Sequence, residues 1–165
     1  MNATAPHASP QATQAIVQEV TIHAPAAEIF RALTTADELM RWWAAEGQFR
    51  TVYAACDLRP GGAWLMMVEG ACGTEPVHTV RGVYRRVEPP HLVEFTWKRD
   101  REDWPESLVR WELEERDGTT TVRVTHSELI SEAMRARNNG WPLIVRLLEK
   151  WLGSGNGSPS AGAGS

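Results

Sequence analysis

The chain has 165 residues, 42% of them hydrophobic and 23% charged, the size and composition of one globular domain that can bury a core without staples. Its net charge of −4 excludes the basic stripe expected of a nucleic-acid binder, and no apolar run approaches the roughly 20 residues of a membrane helix. The N-terminus lacks the charged-then-apolar pattern of an export signal, so the expected address is cytoplasmic.

Residues 1–14 are Ala, Thr, Pro, Ser and Gln without periodicity and are expected to be disordered; 153–165 read as a flexible Gly/Ser-rich tail. The folded unit is then 15–152. Ile16 to Ile22 alternates as a first strand with Val20 and Ile22 inward. Pro25 can open a helix, and Ile29, Phe30 and Leu33 form its apolar stripe. Thr35 with Glu38 has capping-box spacing before a second short helix carrying Leu39, Trp42 and Trp43.

Strands follow at 48–57, 63–69, 77–87, 92–99, 108–115 and 119–127, with a bulge before Val87. Arg59-Pro60-Gly61-Gly62, the 70–76 loop, Glu88-Pro89-Pro90-His91, the charged 100–106 segment and Asp117-Gly118 punctuate them. Lys98-Arg99 and Arg85-Arg86 read as solvated strand ends. The last helix spans 131–152 with Trp141, Ile144, Val145, Leu148 and Leu152 on one face; Gly140 and Pro142 predict a kink or restart near Asn138. A curved antiparallel sheet closed by a single C-terminal helix must leave a groove or cavity between them. The turn at 59–62 places Cys56 opposite about residue 66, and Cys72 roughly 20 Å further along the strand at 3.3 Å per residue. That is too far for a disulfide, so both cysteines are expected to be free thiols.

Alternation sorts the strand side chains into faces. Trp64, Met66 and Val68 share the inward set with His78, Val80, Gly82 and Tyr84, with Val93, Phe95 and Trp97, with Val109, Trp111 and Leu113, and with Val122, Val124 and His126. An apolar, aromatic concave face with sparse polar groups is the usual composition of a small-molecule site. The candidate ligand-binding residues are therefore Trp64, Met66, Tyr84, Phe95, Trp97, Trp111, His126, Trp141 and Val145. His126 reads either as a pocket group that orients a ligand or moves a proton, or as a strand-end histidine bonded to backbone. No nucleophile elbow, metalloprotease motif or phosphate loop is present, and the histidines lack metal-ligand spacing. No catalytic residue, metal site or cofactor is assigned.

Thr35-Ala36-Asp37-Glu38 leading to Trp42-Trp43, then Arg59-Pro60-Gly61-Gly62-Ala63-Trp64, begins a series of motifs. Gly82-Val83-Tyr84 leading to Val87-Glu88-Pro89-Pro90, Leu92-Val93-Glu94-Phe95-Thr96-Trp97, and Thr121 to His126 followed by Gly140-Trp141-Pro142 complete it. In this order they resemble the bacterial single-domain relatives of the activator of the 90-kDa heat-shock protein ATPase, within the START-like SRPBCC superfamily. The resemblance covers about 15–152 and implies an α+β helix-grip fold. Its curved antiparallel sheet has about six or seven strands, with two short helices after the first strand and a long C-terminal helix over a hydrophobic cavity. The superfamily includes carriers, cyclases and receptors, so the fold alone does not settle function.

The leading expectation is binding of a hydrophobic or aromatic small molecule in that cavity. One alternative is a cyclase-, dehydratase- or hydrolase-type enzyme using His126 or His78 as acid–base group. Another is a chaperone-modulating or other protein-interaction module. Oligomeric state is left open.

Overall fold

The structure, a computed structural model, describes residues 14–70 and 77–153. The expected disordered segment before Gln14, loop residues 71–76 with Cys72, and the tail beyond Gly153 lie outside the described residues. Cys56 is a free thiol.

In chain order the elements are β1 (Ile16–Ile22), α1 (Ala26–Thr34), α2 (Ala36–Trp42), β2 (Ala44–Ala45) and β3 (Phe49–Cys56). Then come β4 (Ala63–Gly70), β5 (His78–Glu88), β6 (Leu92–Arg99), β7 (Ser107–Arg116), β8 (Thr119–Ser127), α3 (Glu132–Arg137) and α4 (Trp141–Gly153). The strands form one antiparallel sheet in the order β1-β8-β7-β6-β5-β4-β3-β2. Tight turns impose this meander. At Asp117-Gly118 both residues take positive φ, 54° and 80°, the conformation that matches the twist of the flanking strands. β1 closes the series by pairing with β8, with Ile16 opposite His126 and Ile22 opposite Thr120. α1 and α2 therefore carry the chain from one edge of the curled sheet to the other. The result is an α+β helix-grip fold, α4 lying across the concave face.

α1 starts after Pro25, and its first free amide, that of Ala26, donates to Glu115 Oε1 at 2.9 Å. Ile29, Phe30 and Leu33 are buried, as their spacing predicts. Thr35 does occupy the cap position of α2, but the capping box does not form: its side chain makes no cap bond. Glu38 instead pairs with Arg31 and accepts from Trp151 Nε1, tying α2 to α4. The expected 131–152 helix is two helices. Ser131 caps α3 by accepting from Met134 N, Asn138 ends it, and the chain restarts at Trp141 with Pro142 in the first turn, where its missing amide costs nothing. Sequence periodicity also passes over the two-residue β2, too short to alternate.

The inward sets on β4, β7 and β8 are buried as alternation predicts, and the expected bulge on β5 lies between Tyr84 and Arg86. Cys56 pairs with Trp64 rather than with residue 66, because the 59–62 turn is tighter than expected. Gly82 has a packing reason. A Cβ there would stand 1.8 Å from the Thr96 carbonyl oxygen and 2.7 Å from Trp64 Nε1. The missing side chain is the gap through which the Trp64 indole reaches across to donate to Thr96 O at 3.1 Å. Gly82→Ala should overpack this crossing and break a buried hydrogen bond, a loss of about 2 kcal/mol or more. Urea unfolding of the variant checks it; unchanged stability would show that β5 and β6 can part at this point.

Candidate functional site

The interior beneath α4 is an aromatic cluster centred on Trp97. Its ring centroid lies 5.4 Å from Trp141, 5.6 Å from Trp64, 5.6 Å from His126 and 6.3 Å from Trp43. Trp141 also meets Trp43 at 5.9 Å and Trp111 at 5.8 Å, both edge-on. Trp64, Phe95 and Tyr84 continue the packing, with Trp64–Phe95 at 5.0 Å and Tyr84–Phe95 at 6.0 Å. Such tilted and edge-on pairs add roughly 0.5–1.5 kcal/mol each beyond burial. Burial first, and then Cys56 beside it, raise the pKa of the Tyr84 hydroxyl and keep it protonated.

Hydrogen bonds thread this cluster. Trp141 Nε1 donates to His126 Nδ1 at 3.0 Å, and His126 Nε2 lies 2.7 Å from Ser107 Oγ. An indole N–H can only donate, so Nδ1 must be the bare nitrogen and the ring proton sits on Nε2. His126 therefore donates to Ser107, whose hydroxyl donates in turn to the Trp97 carbonyl at 3.3 Å. Trp97 Nε1 donates to Asn138 Oδ1 at 3.1 Å, and Asn138 Nδ2 donates to Met134 O at 2.8 Å. The bond from Trp141 needs a neutral imidazole, because a protonated ring has no bare nitrogen to accept it. Burial, with a smaller contribution from the Arg99 charge, pushes the His126 pKa down to about 3.

A cavity of about 270 Å³ opens at one end of this cluster, where the α3–α4 junction faces β4, β5 and β6. Trp43, Phe49, Val68, Val80, Trp97, Trp141, Leu143 and Ile144 supply its apolar wall. His78, Arg99, Arg137 and Asn138 supply its polar groups, and no carboxylate lines it among the described residues. Of the residues expected from sequence to form a site, Trp97 and Trp141 line this space. Trp64, Met66, Tyr84, Phe95, Trp111 and Val145 are buried in the packed core beside it, and His126 lies behind Trp97 and Trp141.

His126 is neither a strand-end residue bonded to backbone nor a group facing the cavity. Its two nitrogens are committed to side chains of α4 and β7, so a catalytic role for a pocket histidine would rest on His78 alone. Arg99 is a second correction. Its side chain is only 16% exposed, not a solvated strand end, and Lys98 Nζ donates to the carbonyls of Glu102 and Trp104. Arg99 continues the inward series Val93, Phe95, Trp97, so alternation carried the signal; Trp43, Phe49 and Arg137 carried none.

The sign of the His126 shift sets a pH dependence. The unfolded ring takes up a proton near its ordinary value of 6.5 and the folded one only near 3, so stability is full above 6.5 and falls as pH drops toward 3. Urea unfolding from pH 7 to 4 should show this slope, and His126→Gln, itself uncharged, should flatten it. An equal slope in both proteins would mean that His126 charges in place. Trp141→Phe keeps the ring but orphans Nδ1 and should cost about 1–3 kcal/mol in the same assay at pH 7; an unaltered stability would show that this bond holds nothing.

Residues 23–153 match the family model described as activator of Hsp90 ATPase homolog 1-like protein. Among solved structures, an AHSA1-like protein from Aeromonas hydrophila is 21% identical with a TM-score of 0.73, covering 88% of this chain and 96% of its own. A protein from Chromobacterium violaceum is 22% identical with a TM-score of 0.71, covering 84% and 96%. An HSP90 activator from Plasmodium falciparum is 21% identical with a TM-score of 0.64, covering 86% and 97%. No curated protein matches this chain by sequence. With the matched segment spanning nearly every element from α1 to α4, the chain belongs to the activator of Hsp90 ATPase homolog 1-like protein family.

Proposed function

We propose that the chain binds a hydrophobic or aromatic small molecule in the cavity between the sheet and the start of α4. The observation that carries this reading is the composition of the wall: indole and aliphatic surfaces over most of it, with a few polar side chains among them. An apolar recess with sparse, placed polar groups orients a ligand while burying its body. At about 270 Å³ the space is large enough for a two-ring compound. The contact residues on this reading are Trp43, Trp97, Trp141, Val80, Leu143 and Ile144, with the other inward aromatics supporting them from behind.

Native mass spectrometry of the protein taken from its own cells should show an added small-molecule mass. Leu143→Trp, which fills the cavity from the half-buried first turn of α4, should lose that mass while its Tm stays within about 4 °C. A bare mass for the wild type, together with no uptake of a naphthalene dye, overturns the reading.

A second reading, modulation of a chaperone ATPase, is favoured by the similarity to the HSP90 activator from Plasmodium falciparum. Adding the purified chain to the Hsp90 of its own organism tests it: a raised ATPase rate supports modulation, and an unchanged rate counts against it.

A further inference from the structure

The polar side of the cavity is not evenly polar. It holds two guanidinium groups, Arg99 from the end of β6 and Arg137 from the end of α3, and no acidic side chain among the described residues. The carboxylate in contact with both is that of Glu102, which does not line the cavity; its Oε2 lies 2.8 Å from Arg137 Nε and 3.5 Å from Arg99 Nε. Two guanidiniums carry about ten N–H donors between them, and one carboxylate can accept only about four. Arg99 Nε is buried without a hydrogen bond, as are Asp100 Oδ1 and Glu102 Oε1, so the groups around the two arginines are incompletely paired. Burial and then the nearby Arg137 charge both lower the Arg99 pKa, so the two cations repel each other at close range. Asp100 acts on Arg99 only weakly by comparison. The cavity also meets the first turn of the 13-residue α4 through Gly140, Trp141 and Leu143, so the positive end of that helix adds to the same side.

The rest of the lining is largely indole and aliphatic. Trp43, Trp97 and Trp141 present ring surface to the cavity, and Val68 and Val80 floor it. The lining thus combines two guanidinium groups with indole and aliphatic surface.

Resting on the reading that this cavity holds a small molecule, we propose that the ligand is an amphiphilic oxyanion. Its carboxylate or phosphate head is held by Arg99 and Arg137, and its aromatic or apolar body packs against Trp43, Trp97 and Trp141. An anion at this place would meet the two guanidinium groups that line the cavity, relieve their mutual repulsion and receive bidentate bonds of the kind arginine makes best. The head group is excluded from the interior behind the cavity, where the polar atoms of His126 and Ser107 are already bonded to each other and to Trp141.

Isothermal titration in about 0.15 M salt, where loose surface attraction is screened, tests this with three probes of one shape: 2-naphthoate, 2-naphthyl phosphate and neutral 2-naphthamide. At least one anion should bind about tenfold or more tighter than the amide, the order expected of a charge-assisted bond, and the tighter of the two names the head group. Arg137→Gln, at the half-exposed rim where folding is not at stake, should reduce that preference to about twofold or less while leaving the amide's affinity in place. Arg99→Gln should do the same. Equal binding of all three probes overturns anion recognition and leaves the cavity reading standing. A preference that survives both substitutions overturns the assignment to these arginines. Binding of none of the three overturns this inference and the cavity reading together.

Discussion

The hydrogen bond from the Trp141 indole to His126 is the constraint on which the interior depends. It joins the first residue of α4 to the last strand of the sheet, and it fixes the proton of the imidazole on the far nitrogen, toward Ser107. Through the serine the chain of bonds runs on to the backbone of β6. In a water-free interior each unmet donor or acceptor costs about 1–3 kcal/mol. α4 therefore cannot slide or rotate over the sheet without orphaning the Trp141 donor and the His126 acceptor. Apolar packing alone would leave the helix several near-equivalent seats; the directional bonds select one.

The cavity follows from where that seat lies. Held by its first residue, α4 leaves a short gap behind it, bridged by Asn138, Asn139 and Gly140 after α3 ends. Asn138 is in turn held by the Trp97 indole, so the junction cannot fold inward to fill the space. Around the space the rings of Trp43, Trp97 and Trp141 meet edge-on or tilted rather than stacked flat. Further along the sheet the same kinds of residue pack without a gap, because Trp64 threads across Gly82 and Phe95 fits between Trp64 and Tyr84.

This contrast explains what the sequence made legible. The period-two runs, the glycine turns and the break at Gly140-Pro142 determined element order, and alternation assigned the inward faces of β4, β6, β7 and β8, because both are local properties of the backbone. Whether an inward side chain meets another side chain or an opening depends on partners far away in the chain. Trp64 and Trp97 alternate alike, yet one is sealed by Phe95 and Tyr84 while the other faces the α3–α4 junction. Arg99 stands in the inward series, but adjacent basic residues at a strand end suggest solvent, and only the packing of α3 against β6 reveals its burial. Arg137 reaches the cavity only because α3 ends where it does, and Phe49 because the β2–β3 edge curls round. Likewise Glu38 has the spacing of a capping box, but a nearby Arg31 and the Trp151 indole offer its carboxylate better partners than a backbone amide.

Polar groups in this protein fall into two populations that do different work. His126, Ser107 and Asn138 are bonded to the tryptophans and to backbone, and they hold the fold in one arrangement; His126 stays neutral across the ordinary pH range because burial forbids its charge. Arg99 and Arg137 stand at the edge of the same cluster, share a carboxylate and keep donors to spare. Changing a member of the first population leaves an unpaired group in the core and costs stability. Changing Arg137, half exposed and bonded at the rim, alters the electrostatics of the cavity mouth while the indole chain beneath it stays intact. A scaffold divided in this way can exchange the chemistry of its mouth without disturbing its core.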